Sequence, residues 1–405
     1  VVVAAAGNSN SDALSFSPAS ADDAITVAAS NYSDQKASFS NWGEKIDVAS
    51  PGVDILSLRA PGTDMYRDGG THFVPTGNPT AKYYRASGTS MACPHTAGLA
   101  ALLLARAPFL SNEEVRQIIR QGSDDLGALG KDRDFGYGRI NATSAMSLTA
   151  AHPLTPIITT PKSRTNIGGI SLQILGGIGG ADFSSYKLEA GSGRAPSTWT
   201  TLATSNTQVP GPNGILATVD TTQLQEEAHI FRLTATTNAG NSYQFQVHDV
   251  KVDNFATDIT SPSKFVPKGL VEVIGTAMTN YEVAFGSYKL EAIEQSTGAR
   301  TTIGSGSAPV INGLLGTWDT NAIADGTVYI LYLTVNAANG ANTSYHEYLT
   351  VDGTILPGWP KIVTTPTQLP AIGDLLGDGK REIVVIDGNS RTINAYALDG
   401  SVLPG

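Results

Sequence analysis

The chain opens on six consecutive apolar residues at 1–6, with no alternation of polar positions. Such a run predicts a strand buried on both faces, as in a parallel sheet flanked by helices. Residues 89–107 are rich in Ala and Leu and carry Pro94 in their first turn, which predicts a helix. Ser111-Asn112-Glu113-Glu114 reads as a capping box that opens a second helix running to about Gln121. Residues 141–151 predict a short third helix, and the Pro- and Thr-rich stretch 153–162 predicts a linker.

Beyond the linker, helical periodicity gives way to short alternating segments of Thr, Ser, Gly, Val and aromatics. A tandem repeat of about 100 residues emerges. Ser185-Tyr186-Lys187-Leu188-Glu189-Ala190 returns 102 residues later as Ser287-Tyr288-Lys289-Leu290-Glu291-Ala292, and Gly214-Ile215-Leu216 returns as Gly313-Leu314-Leu315. This length and patterning predict β-sandwich (Ig-like) modules, which serve as spacers or as binding platforms. Near the end, Asp352-Gly353-Thr354-Ile355-Leu356-Pro357-Gly358 recurs after 47 residues as Asp399-Gly400-Ser401-Val402-Leu403-Pro404-Gly405. A period of 40–50 residues predicts propeller blades, of which one unit and the start of a second are present. Both ends read as cuts: a domain rarely begins in its own core strand, and a single blade does not close a propeller.

Composition narrows the classes. Charged residues make up 15% of the chain, against roughly 25% in an average soluble protein. The net charge is −10, which argues against a nucleic-acid partner. No apolar run approaches the ~18 residues of a membrane span, and the single cysteine, Cys93, forbids an internal disulfide. The expected organisation is four parts: 1–152 as an α/β domain with a parallel sheet and flanking helices, 153–253 and 254–352 as β-sandwich repeats, and 353–405 as a partial propeller.

Chemistry concentrates at the start of the first predicted helix. Ala86-Ser87-Gly88-Thr89 precedes Ser90, which puts a serine hydroxyl at a helix N-terminus beside unsatisfied N–H groups suited to a developing oxyanion. Taken alone, the same pattern also describes an ordinary helix cap.

The full string Ser87-Gly88-Thr89-Ser90-Met91-Ala92-Cys93-Pro94-His95-Thr96-Ala97-Gly98 resembles the nucleophile segment of the subtilisin-like serine proteases. Val1-Val2-Val3-Ala4-Ala5-Ala6-Gly7-Asn8 resembles the strand of that family that ends in its oxyanion-hole asparagine, and the spacing of 82 residues suits the family. Ser17-Pro18-Ala19-Ser20, Ile25-Thr26-Val27-Ala28-Ala29, Asn41-Trp42-Gly43, Ile46-Asp47-Val48-Ala49-Ser50-Pro51-Gly52 and Gly136-Tyr137-Gly138-Arg139-Ile140-Asn141 follow in family order, closest to the proteinase-K-like branch. The resemblance implies a subtilisin-like fold over 1–152 with its N-terminal part missing. It implies Ser90 as nucleophile, Asn8 as oxyanion donor, and Ala5, Ala6 and Gly7 as a wall of the pocket for the residue before the cut.

In this family the triad Asp and His precede the oxyanion strand, so both are expected upstream of Val1, and the chain alone is expected to lack ordinary turnover. His95 resembles a structural helix residue. Gly70-Thr71-His72 lies after Asn8 in what reads as an insertion, 61–84. The chemistry needs no cofactor. The resemblance implies a structural calcium at Asp47 with the carbonyls of Asp22 and Ala24, the alternative being a plain loop cap. The segment Asp374-Leu375-Leu376-Gly377-Asp378-Gly379-Lys380-Arg381-Glu382 resembles the calcium loop of FG-GAP/VCBS blades, with Asp374, Asp378 and Glu382 as ligands; Leu376 stands where that loop has an oxygen donor, and the alternative is a turn. The implied function is a secreted or cell-surface serine endopeptidase acting on proteins and peptides, its β-modules spacing it or holding a surface or polymer. The alternative is an extracellular adhesion protein built on a catalytically dead subtilase-like domain.

Overall fold

The computed structural model describes residues 1–60, 70–149, 153–355, 359, 369–387 and 392–403. Strand dominates, with few helices. The chain divides into two compact units: the first comprises Val1–Ile167, Ser171–Asp220 and Glu227–Val252, and the second Gly168–Ile170, Thr221–Glu226 and Asp253–Gly405.

The first unit begins with a three-stranded parallel sheet. Strand β1 (Val2–Ala5) pairs with β2 (Ala24–Ser30), Val2 opposite Ala24, and β2 pairs with β3 (Val48–Pro51), Val27 opposite Val48. Every residue of β2 is buried, as expected for a central strand covered on both faces. A small antiparallel sheet follows, with β4 (Ile55–Leu58) and β5 (Phe73–Val74) on either side of β6 (Tyr83–Ala86). Of the predicted insertion, residues 61–69 lie outside the described residues.

Helix α1 (Thr89–Arg106) seats Ala92, Leu99, Ala100 and Leu103 on Ile25, Val27 and Val48. Helix α2 (Asn112–Gln121) carries the predicted capping box in full: Ser111 Oγ accepts from the Glu114 N–H, and Glu114 accepts from the Ser111 N–H. Its Val115, Ile118 and Ile119 complete the same core. Helix α3 (Ala142–Ser147) is shorter than the predicted 141–151, of which 150 and 151 lie outside the described residues.

The expected linker is corrected. Strand β7 (Thr155–Thr160) lies within it and pairs with β9 (Leu172–Gly179) as the edge of a sheet completed by β12 (Gly214–Val219). Pro156 and Ile158 face inward, and an edge position tolerates the missing proline N–H. The facing sheet has the order β11-β10-β13-β14-β8, from β8 (Asn166–Ile167), β10 (Phe183–Ser192), β11 (Thr200–Ser205), β13 (Ala228–Thr237) and β14 (Ser242–Val252).

The second unit repeats the plan. Strands β15 (Phe255–Ser261), β17 (Leu270–Thr279) and β20 (Val310–Asp319) form the smaller sheet. Strands β16 (Lys264–Val266), β18 (Phe285–Glu294), β19 (Arg300–Gly306), β21 (Val328–Ala337) and β22 (Asn342–Val351) form the larger. The repeated tyrosines do the same work in both modules: Tyr186 Oη donates to Leu216 O (2.7 Å) and Tyr288 Oη to Leu315 O (3.1 Å), each tying one sheet to the other. At the end of the chain, β23 (Ala371–Gly373), β24 (Glu382–Asp387) and β25 (Thr392–Tyr396) form an antiparallel sheet. Parts of the 47-residue recurrence, Leu356, Pro357, Gly358, Pro404 and Gly405, lie outside the described residues.

Candidate active site

Two chain segments separated by about 80 residues meet at the N-terminus of α1. Strand β1 ends at Ala5, and the chain turns at Gly7, whose φ of +104° is a conformation that favours glycine. A Cβ at Gly7 would also come within 2.4 Å of Asn41 Nδ2. Buried Asn41 staples this turn: its Nδ2 donates to Ala6 O (2.8 Å), and its Oδ1 accepts from the N–H groups of Ser9 (2.9 Å) and Ser11 (3.1 Å).

Thr89, fully buried in the first turn of α1, joins the turn to the helix. Its N–H and its Oγ1 both donate to Asn8 Oδ1, at 2.8 and 2.9 Å, and its Oγ1 accepts from the Gly7 N–H at 3.1 Å. Fixing Oδ1 fixes the whole amide, so Asn8 Nδ2 points to the remaining side. The Cβ position of Gly88 lies 3.6 Å from Asn8 Nδ2 and 3.6 Å from the Ser90 backbone nitrogen. Both nitrogens, with Met91 Sδ at 3.5 Å, therefore border the space that a side chain at position 88 would enter. The Ser90 N–H belongs to the first helical turn and has no intrahelical acceptor. Ser90 is exposed and its hydroxyl makes no hydrogen bond to a described residue. An exposed hydroxyl near such donors is chemically capable of adding to a carbonyl whose oxygen the donors could bind.

Of the three expected wall residues, Ala5 and Gly7 are half-buried, whereas Ala6 packs fully inside against Ala28, Ile46 and Ala49 and offers the site only its backbone. No histidine among the described residues partners Ser90. His95 Nδ1 meets Met91 O within the helix (2.9 Å), His72 stacks on Tyr84 (5.7 Å between ring centroids), His229 lies between Ser192 and Glu227, and His248 is buried in the first sandwich. His346 packs between Tyr332 and Tyr348 on the second sandwich. Cys93 Sγ approaches Val3 O (3.4 Å), and burial pushes its thiol pKa up, as befits a packed side chain rather than a nucleophile.

The calcium expectations need correction. Asp47 is 1% exposed, and its Oδ1 accepts from Arg120 Nε at 2.9 Å. Ala24 O accepts from Lys45 Nζ (2.9 Å) and Asp22 O from Arg116 Nη1 (2.6 Å). The three oxygens assigned to calcium thus already face three cations, and a dication does not fit beside them. Burial alone would raise the Asp47 carboxyl; Arg120, then Lys45 and Arg116, outweigh it and hold that group well below the usual carboxylate range. Burial brings Lys45 down to about 8, partly offset by Asp47.

In the later loop, Asp374 accepts from the N–H groups of Gly377 (2.6 Å), Asp378 (3.1 Å) and Gly379 (2.9 Å), Asp378 accepts from the Lys380 N–H (2.9 Å), and Glu382 accepts from the Leu375 N–H (2.6 Å). Leu376 is 62% exposed and supplies no oxygen side chain. These carboxylates fold a turn. Among the described residues, no group of three or more His, Cys, Asp or Glu is arranged to hold a metal ion.

Asn41 and Thr89 are the site residues that sequence reasoning passed over. Both stood inside recognised strings, but their tasks depend on contacts across 30 to 80 residues.

The sequence profile of the Subtilase family matches residues 1–138. The chain is 44% identical over 147 residues to a thermophilic serine proteinase of Bacillus sp. strain AK1, covering 36% of this chain and 31% of that protein. It is 51% identical over 104 residues to subtilisin-like protease 3 of Pseudogymnoascus destructans, covering 26% and 22% respectively. To a cuticle-degrading serine protease of Arthrobotrys oligospora it is 51% identical over 100 residues, covering 25% and 20%. The chain spans between a fifth and a third of the length of these relatives.

Proposed function

We propose that the subtilase segment, residues 1–138, is the nucleophile-bearing part of a serine endopeptidase that cleaves peptide bonds through an acyl-enzyme on Ser90. The observation that carries this reading is the pair of free donors, Asn8 Nδ2 and the Ser90 N–H, converging beside an exposed hydroxyl. A serine that merely capped the helix would need no asparagine locked in this orientation from another strand.

In the proposed reaction, Ser90 Oγ adds to the scissile carbonyl as a general base takes its proton. The carbonyl oxygen, now negative, receives hydrogen bonds from Asn8 Nδ2 and the Ser90 N–H. Collapse of the tetrahedral adduct expels the amine, which takes up the proton, and leaves the acyl group on Ser90; water then releases it by the reverse steps. Ala5 and Gly7 would leave room beside the cut for a bulky apolar or aromatic side chain.

The base and its orienting carboxylate are assigned to a segment outside this chain. The outer face of α1 supports this: Ala97, Gly98, Ala101, Leu102 and Ala105 are exposed, although a helix apolar all round is normally covered on every side. The described residues contain no helix long and apolar enough to cross a membrane. The likeness to a cuticle-degrading protease supports action outside the cell on protein substrates.

Reading the coding sequence upstream of the Val1 codon tests the assignment. An Asp-Thr/Ser-Gly segment followed by a His-Gly-Thr-His-type segment is expected. An open frame with those residues replaced would favour the adhesion-protein alternative.

A further inference from the structure

A second constellation, remote from the chemistry of Ser90, joins the Asp47 loop, α2 and strand β14 of the first sandwich. All of it lies within the first unit. Four basic side chains (Lys45, Arg116, Arg120, Lys131) meet four acidic ones (Asp22, Glu44, Asp47, Glu113), so the cluster is neutral without any added ion. The cavity at its centre, lined also by Gln246 and His248, has room for roughly one water molecule.

The cations reach in two directions. Arg120 holds Asp47 with Nε and donates through Nη1 to Gln244 O of β14 (2.7 Å). Arg116 donates to Asp22 O while its guanidinium lies over the Phe245 ring, 5.0 Å from the centroid. Gln117 Nε2 adds a bond to Gln244 O (2.9 Å) and Gln121 Nε2 one to Ser242 O (3.0 Å). Lys131 Nζ bridges Glu44 O and Gln246 Oε1, both at 2.6 Å. On the far side, the Asp22 carboxylate accepts from the Ser163 N–H (3.2 Å), and Ser163 Oγ accepts from the His248 N–H (2.7 Å).

We propose that Lys45, Arg116 and Arg120 replace a metal ion at the Asp22–Ala24–Asp47 oxygens, and that the first sandwich is docked through the two arginines among them as a fixed part of the subtilase domain. The chemistry of the donors explains the exchange. A metal ion would gather oxygens within its own coordination radius and stabilise one loop. A guanidinium presents five N–H donors in a rigid plane, so one arginine binds a carboxylate on one edge and a strand carbonyl on another. Loop and module are then held by one group. Breaking either contact weakens a buried group: Asp47 would keep only Lys45 and the Thr26 N–H, and Gln244 O only the Gln117 amide. The inference goes beyond the proteolytic reading and does not depend on it.

Hydrogen exchange on the full chain, resolved to segments 22–28, 44–48 and 242–248, tests this. Adding a calcium chelator or excess calcium is expected to leave protection in all three unchanged. Arg120→Met is expected to speed exchange at least tenfold in both 44–48 and 242–248. Arg120→Lys, which keeps the charge but cannot reach both partners, is expected to restore 44–48 and leave 242–248 open. Deprotection of 22–28 and 44–48 by the chelator in the unaltered chain would overturn the metal replacement. An Arg120→Met chain in which 242–248 stays protected would overturn the shared docking.

Discussion

The site at Ser90 and the cluster at Asp47 use the same materials to opposite ends. Both join residues far apart in sequence, and both place polar atoms at the start of a helix or beside one. At Asp47 every expected metal ligand has a partner, the charges balance, and the cavity is water-sized. At Ser90 the positioning groups are buried and fully bonded, yet the hydroxyl and two N–H donors are left open. Polar groups that are closed on each other hold a fold together; polar groups that are positioned and then left unsatisfied are what a reaction requires.

Substitutions that separate stability from turnover sharpen that contrast. The largest effect is expected at the closed cluster. Asp47→Asn leaves Arg120 buried without its counter-charge, and chemical denaturation is expected to register a loss of about 3–5 kcal/mol. In the catalytically complete protein, Asn8→Ala is expected to lower kcat by roughly 10²–10³, the range found for such a donor in subtilisin, with KM nearly unchanged. Equal stability losses at both positions would dissolve the comparison.

A smaller effect is expected at Thr89. Thr89→Val removes the hydroxyl contacts to Asn8 and Gly7 but keeps the backbone contact, so kcat should fall by at most roughly 30-fold, the equivalent of about 1 kcal/mol for each of the two hydrogen bonds. The smallest is a pH effect at His248. Burial depresses its pKa well below 6.5, so the folded chain keeps it neutral while the unfolded chain takes up a proton as pH falls past 6.5. Its contribution is complete above that pH and is lost below it, at no more than about 1.4 kcal/mol per pH unit. Denaturation midpoints between pH 7.5 and 5 should show this slope, and His248→Gln should flatten it.

The two residues proposed to carry the chemistry were legible in the sequence because each sits in a short string: Ser90 in one, Asn8 in another. The groups that aim them were not, since nothing local to Thr89 or Asn41 announces contacts across 30 to 80 residues. The closed cluster was misread for a related reason. Asp47 with two carbonyls has the oxygen content of a calcium site, and only the fold brings Arg116 and Arg120 from 70 or more residues away to neutralise it. The tandem repeat was visible from its returning strings, and the paired Tyr186 and Tyr288 bonds give it a physical meaning. The linker expectation failed because Pro156 hid the alternation of an edge strand.

The most direct test is covalent labelling by a fluorophosphonate of the protein expressed from its full open reading frame, with the modified peptide identified by mass spectrometry. A single adduct is expected on Ser90, disappearing in Ser90→Ala and weakening strongly in Asn8→Ala. Labelling that persists in Ser90→Ala would remove Ser90 from the reaction and contradict it.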